Sequence, residues 1–292
     1  MIESIKFFKL VSIFLLVLNY GCMDEDLSFK NAPTSFPQNP KKYFDVEING
    51  SINMEMIWVS AGSFNMGSPT SEIGRQKGKE KLHKVTISRG FYLGKYEVTQ
   101  LQYKAVMKEL KAHKIISPSH FKGQNLPVEK VSWHDVQIFL DLLNKYALKN
   151  KTIPSGWKFC LPSESEWEYA CRAGTQTTYS WGNRIWETDT NGASSSGIKG
   201  TKNVGSFDPN PWGFYDMHGN VREWVNDWYS EIYPDQQTHD PVGPMKGIYR
   251  VSRGGSWHDP PSILRSADRQ YGPPNTRYNA LGFRVCLKQT ET

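Results

Sequence analysis

Cysteine is scarce, four in 292 residues, and Cys160 and Cys171 stand eleven apart with no Cys-x-x-Cys and no His at metal-ligand spacing nearby, which argues against a zinc site. No five consecutive residues carry charge of one sign. The net +6 is therefore dispersed, and nucleic acid is not expected as a partner. No apolar run approaches the roughly 20 residues that a membrane-spanning helix needs. There is also no internal repeat and no low-complexity tract. What is present is 38% hydrophobic and 22% charged residues, an ordinary globular balance. Ten Trp, 24 Gly and 17 Pro with 13% aromatics point to a loop-rich fold that packs irregular chain against large rings, and exclude a long helical bundle.

The amino terminus reads as an export signal. Lys6 and Lys9 precede the apolar run Leu10 to Leu18, and the pair Gly21-Cys22 follows. Gly21 before Cys22 resembles a bacterial lipobox, in which the thiol is acylated and becomes the new terminus, although Asn19 stands where that motif has Leu. The expectation is a lipoprotein-type signal over 1–21, an acylated Cys22 with a flexible tether over 22–53, a domain over 54–288 and a tail over 289–292. The protein is then exported and held in the bacterial cell envelope, with the membrane as a partner through its lipid. Cys160, Cys171 and Cys286 remain for an oxidising compartment, an odd number that leaves at least one unpaired within the chain. One disulfide is expected at Cys286, with its partner open.

Three short helices carry start signals. Thr99 with Gln102, Ser132 with Asp135 and Ser163 with Glu166 each place a capping side chain three residues before a polar partner. Apolar stripes follow: Tyr103, Val106, Met107 and Leu110; then Val136, Phe139, Leu140 and Leu143; then Trp167, Ala170 and Cys171. Gly174 is expected to end the third helix, and Glu164, Glu166 and Glu168 are expected in solvated or capping roles. His134 reads as a surface or capping residue. Ile57 to Met66, His83 to Ile87, Phe91 to Leu93 and Phe283 to Leu287 read as strands. The stretches 175–215 and 230–282 read as mostly irregular, which is where function concentrates.

An ordered series of motifs spans residues 57 to 287. It runs from Trp58-Val59-Ser60-Ala61-Gly62-Ser63-Phe64-Asn65-Met66-Gly67-Ser68 through Tyr96-Glu97-Val98-Thr99, Pro127-Val128, Val131-Ser132-Trp133 and Leu161-Pro162-Ser163-Glu164-Ser165-Glu166-Trp167-Glu168-Tyr169. It continues with Gly213-Phe214-Tyr215-Asp216-Met217-His218-Gly219-Asn220-Val221-Arg222-Glu223-Trp224, Arg253-Gly254-Gly255-Ser256-Trp257 and Gly282-Phe283-Arg284. The series resembles the formylglycine-generating-enzyme family, also called sulfatase-modifying-factor domains. The resemblance implies an α+β, C-type-lectin-like fold with little regular secondary structure. Founding members oxidise a cysteine of a client sulfatase with a copper ion held by two cysteines just after the Gly-Gly-Ser-aromatic motif. Copper needs such soft thiolate ligands. Here Asp259 stands near the first of those cysteines and Leu264 near the second, and no Cys lies between Gly254 and Arg269. Copper is therefore not expected.

The resemblance also implies a structural calcium ion at Asp216, Gly219, Val221 and Glu223, two carboxylates and two carbonyls suited to a hard cation. A second calcium site near Asn191 lacks a matching carboxylate and stays unassigned. Trp257, His258, Asp259, Arg265 and Arg269 are candidates for binding a protein or peptide ligand, because Trp, Tyr and Arg on a Pro-stiffened loop offer area and directional donors; Arg265 and Arg269 pairing with acidic neighbours is the alternative. The leading expectation is a calcium-stabilised binding or accessory domain. A competing one is a metal-dependent oxidoreductase of the same family using a non-cysteine site within Ser256 to Arg269, with His258 and Asp259 the first residues to test, and a third is a purely structural envelope protein.

Overall fold

The computed structural model describes residues 40–48, 50, 52–108, 116–184, 199–233 and 238–290. The signal, Cys22, most of the tether, Leu110 and Asn191 lie outside the described residues. All three helices begin as the caps predict. α1 (Gln100–Met107), α2 (Trp133–Asn150) and α3 (Glu164–Arg172) each carry a reciprocal capping box, from Thr99, Ser132 and Ser163 respectively. α2 is longer than expected, with 18 residues, because Lys151 supplies a left-handed stop only after Asn150. α3 stops at Ala173, itself left-handed, one residue before the expected Gly174.

A five-stranded sheet organises the core. It is ordered β1 (Tyr43–Glu47), β2 (Asn53–Val59), β5 (Phe91–Gly94), β11 (Cys286–Gln289) and β6 (Trp157–Cys160). Side chains alternate across its faces as a pleated strand requires. Met56, Tyr92, Phe159 and Leu287 join a core cluster with α1 and α2 residues such as Tyr103 and Phe139. Ile57, Leu93 and Cys286 point the other way, into a second cluster with Trp167 and Ala170 of α3 and with Phe214 and Val225. The sheet is thus buried on both faces, and α3 lies on the second.

The remaining strands build that second layer. β3 (Gly62–Met66) and β4 (His83–Ile87) form a hairpin. A four-stranded sheet is ordered β10 (Leu281–Gly282), β7 (Arg222–Trp228), β8 (Arg250–Arg253) and β9 (Gln270–Gly272). β10 and β7 are parallel, which brings Gly282 opposite Glu223.

Several boundaries differ from the sequence reading. The fold begins before residue 54, because Tyr43–Glu47, assigned to the tether, pairs antiparallel with β2. It also runs past 288, since Gln289 pairs with Trp157. The stretch Ile57 to Met66 breaks at Ser60-Ala61 into β2 and β3, and the last strand starts at Cys286 and not Phe283. Among the described residues no helix is long and apolar enough to cross a membrane.

Candidate functional site

Strand β8 delivers the chain into the Gly254-Gly255-Ser256-Trp257 motif and the segment after it. Gly254 and Gly255 turn it through left-handed φ values of +91° and +67°. A Cβ on Gly254 would lie 3.1 Å from the Trp167 ring, so the turn is pressed against the buried indole. The turn places Ser256 and Asp259 under Arg222 at the start of β7. Asp259 takes both Nε and Nη2 of Arg222, at 2.8 and 2.5 Å, and the Ser256 hydroxyl at 2.6 Å. Burial acts to raise the Asp259 pKa, but the bonds from Arg222 and Ser256 prevail and hold it below the usual value.

The Ser256 proton is committed to Asp259, so His258 Nδ1, at 2.9 Å, donates to Ser256 Oγ. His258 Nε2 pairs with the Tyr278 hydroxyl at 3.0 Å. Leu264 is 1% exposed and gives its carbonyl to His218 Nδ1 at 2.7 Å. Neither Asp259 nor Leu264 is an open ligand. Among the described residues, no group of three or more His, Cys, Asp or Glu side chains could hold a metal ion.

Three of the five ligand-binding candidates are corrected by burial: Asp259, closed off by Arg222 and Ser256 as above, and two arginines. Arg265 is 0% exposed and bonds Glu72 at 2.7 Å and Glu80 at 2.7 and 2.8 Å. Arg269 is 3% exposed, forks onto Glu164 at 2.6 and 2.8 Å, and lies over the Tyr233 ring. The same pairing corrects the acidic trio. Glu164 and Glu168 are buried, and Glu168 is shared by Arg172 and Arg253. Only Glu166 keeps the expected capping role, with Lys288 at 2.6 Å.

What reaches solvent is a narrower rim. Trp257 is half-buried, held by its ring N–H on the Asn279 carbonyl and meeting Phe121 edge to face at 5.4 Å. His258 and Tyr278 are exposed beside it. Phe121 also borders an open recess of about 310 Å³ with Lys122, Lys199 and Lys202.

Beneath this rim lies the predicted calcium turn. Asp216, at φ +59°, accepts the Gly205 N–H through Oδ2 at 2.7 Å, and its buried Oδ1 has no partner. Glu223 is occupied differently. Arg284 forks onto both its oxygens at 2.6 Å, and the Trp167 ring N–H adds a bond at 2.7 Å. Glu97, which the sequence reading did not assign, completes the group. It accepts from the Val221 N–H at 3.1 Å and the Asn220 amide at 2.7 Å, and so fixes the turn.

Three buried carboxylates, Glu97, Asp216 and Glu223, thus face one guanidinium, Arg284. Burial raises the pKa of Asp216 to about 6, and burial with the charges of Asp216 and Glu223 raises that of Glu97 well above the usual range. Asp216, with its partnerless oxygen, and Glu223 could hold a cation only with backbone carbonyls completing the ligand set, since no three side chains here converge as metal ligands. Glu97 and Arg284 lay within two quoted motifs, Tyr96-Glu97-Val98-Thr99 and Gly282-Phe283-Arg284. Their charges, unusual inside otherwise apolar motifs, were the signal available.

Comparisons with known proteins agree with this architecture. The model of the sulfatase-modifying factor enzyme 1-like domain matches residues 45–289. The formylglycine-generating enzyme of Mus musculus is 29% identical, over 82% of this chain and 76% of its own. The chaperone protein LppX of Paenibacillus barcinonensis is 30% identical, over 80% of this chain and 88% of its own. Among solved structures, variable protein 1 of Treponema denticola superposes with a TM-score of 0.73 at 26% identity, covering 85% of this chain and 99% of that one. The family match runs from within β1 to the end of β11 and covers the whole motif series over residues 57 to 287, so the chain belongs to the sulfatase-modifying-factor, or formylglycine-generating-enzyme, family.

Proposed function

We propose that this chain is an envelope-anchored, calcium-stabilised binding or accessory module of its family, without the copper oxidase chemistry. The observation that carries the reading is the ion pair of Arg222 with Asp259, closed by Ser256, at the position of one copper cysteine. Leu264, buried at the other, supplies no donor atom. A soft thiolate pair is replaced by a hard carboxylate already neutralised by a guanidinium, and by a hydrocarbon. Relatives that include a chaperone protein and a variable protein support a binding role. The face offered to a protein or peptide is Trp257, His258 and Tyr278 with Phe121, where aromatic area is partly exposed. The test is direct. Incubated with copper, oxygen, a thiol reductant and a cysteine-containing sulfatase peptide, the full chain is expected to form no aldehyde, and aldehyde above a protein-free control sinks the proposal.

Calcium in this proposal is held by the carboxylates of Asp216 and Glu223 and the carbonyls of Gly219 and Val221. Bound there, the ion contributes charge neutralisation and rigidity to the turn beneath the rim. The thermal midpoint is expected to be higher in calcium than in chelator, by about 2.7 kcal/mol of stability when calcium is at a hundredfold excess over its dissociation constant. Asp216→Asn, which alters the partnerless carboxylate, is expected to remove that difference. Glu223→Gln is a poorer probe, because it also breaks the pair with Arg284.

The effect has a defined pH dependence. Asp216 has a folded pKa of about 6 against an ordinary 3.8, so the metal-free folded state holds a proton that the unfolded chain releases. Metal-free stability from this group is therefore lost as pH rises from about 4 to 6. Calcium displaces that proton, so its stabilisation is expected to be larger at pH 8 than at pH 5. Equal calcium shifts at the two pH values, measured by thermal melts, would remove Asp216 from the site.

A further inference from the structure

Cys160 and Cys286 are free thiols that the sheet sets directly opposite one another. They are register partners across the antiparallel strands β6 and β11. Directly opposed residues in an antiparallel pair have Cα atoms about 4.5 or 5.5 Å apart, depending on the hydrogen-bonding register. Both values fall inside the roughly 4.4–6.8 Å that a disulfide spans. The two side chains also share a face. Cys286 is fully buried in the cluster under α3, and Cys160 packs against that cluster from its border.

The environments of the two sulfurs differ in the sense that exchange chemistry requires. Cys160 is partly exposed and opens onto a depression of about 330 Å³ lined by Asn144, Lys158 and Lys288 among others. Its pKa is lowered, first by the hydrogen bond with Cys286 and, against the penalty of burial, by the Lys288 ammonium. Cys286 is raised well above the ordinary thiol range, first by burial and then by Cys160. Cys171, the third thiol, is buried beside His218 and the Met217 carbonyl, and burial holds its pKa up at about 12. It is therefore the inert one.

We infer that Cys160 and Cys286 form a dithiol–disulfide couple across β6 and β11, closed by exchange with an external organic disulfide that enters at the depression beside Cys160. In the first step the Cys160 thiolate attacks one sulfur of the oxidant. That S–S bond breaks, a mixed disulfide forms and one thiolate leaves. In the second step Cys286 gives up its proton, attacks the Cys160 sulfur and expels the second thiolate. Two protein thiols are oxidised by two electrons, and the oxidant is reduced to two thiols. The bond closes a loop of more than a hundred residues and ties the edge strand β6 to β11, so oxidation stabilises the fold by constraining the unfolded chain.

The experiment treats the full native chain with oxidised glutathione, then denatures it in acid, alkylates the remaining thiols and digests it with trypsin and a glutamate-specific protease together. Both enzymes are needed, because Cys160 and Cys171 share the tryptic peptide from Phe159 to Arg172. The expected product joins the Cys160 peptide to Val285–Lys288. It is lighter by two hydrogens than the sum of the free peptides and is lost on reduction. Cys286→Ser is expected to retain glutathione on Cys160, whereas Cys160→Ser leaves Cys286 alkylated only after unfolding. The oxidised wild type is expected to melt at a higher temperature than the reduced one, with the difference absent in Cys160→Ser. Alkylation of both Cys160 and Cys286 after glutathione treatment overturns the inference, and so does a link from either to Cys171.

Discussion

Arg265→Ala is expected to lower the unfolding free energy by about 3–5 kcal/mol, the usual cost of removing one partner of a buried ion pair. For a domain of this size that corresponds to a fall in melting temperature of roughly 10 °C. The reason is the company the guanidinium keeps. It is 0% exposed, and it neutralises Glu80, also 0% exposed, while bonding Glu72 and lying 3.3 Å from Asp268. Burial alone would raise the Glu80 pKa, but the bonds and charge of Arg265 hold it below the ordinary value. Without Arg265, Glu72, Glu80 and Asp268 lose the guanidinium that all three share, and burial then dominates. Urea denaturation followed by tryptophan fluorescence measures the loss. An unchanged midpoint together with a lost ligand interaction would instead restore Arg265 to the recognition surface.

The contrast between Arg265 and Thr99 marks the limit of what the sequence carried. A capping box is written within four residues, because both of its hydrogen bonds join groups three positions apart. Thr99, Ser132 and Ser163 were therefore readable, as were the buried stripes that follow them. The partners of Arg265 lie 185 and 193 positions away, and only tertiary pairing brings them together. Arginine on a Pro-rich loop looks the same whether it faces a ligand or an internal carboxylate. Glu164 and Glu168, expected in solvated or capping roles, were misplaced for a related reason. Helical spacing sends side chains to different faces, but α3 is enclosed on more than one side, so several of its faces are interior.

The rim and the turn were legible to different degrees. The Gly254-Gly255-Ser256-Trp257 motif located the segment, and the lack of cysteine in it was plain. That Asp259 is closed off by Arg222 was not, since Arg222 stands 37 residues earlier on another strand. Strand β1 was missed although Phe44-Asp45-Val46-Glu47-Ile48 alternates apolar and polar residues; so short a run, directly after a Pro-containing polar stretch, was absorbed into the tether, and pairing with β2 is what makes it a strand.

Arg284→Met is the second change with a large expected effect, and its pH dependence separates charge from packing. Arg284 is 0% exposed, held by two bonds to Glu223, and its charge lowers the pKa values of both Glu97 and Asp216. Methionine keeps much of the volume and removes the cation. The loss is expected at about 3–5 kcal/mol near neutral pH, because the carboxylates are left buried without compensation. Glu97 and Asp216 already have folded pKa values above their unfolded ones, and losing Arg284 moves them further up. A raised carboxylate binds its proton on folding, so its contribution to stability is retained at low pH and lost as pH rises through the folded pKa. The deficit of Arg284→Met relative to wild type is therefore expected to be larger at pH 8 than at pH 5. Denaturation curves in chelator at both pH values measure it. Added calcium is expected to narrow the gap at pH 8, since one divalent cation supplies the charge that the guanidinium had provided. A deficit that is the same at both pH values, and indifferent to calcium, would mean that Arg284 acts through its volume and its carbonyl bonds to Gly94 and Tyr215 rather than through its charge.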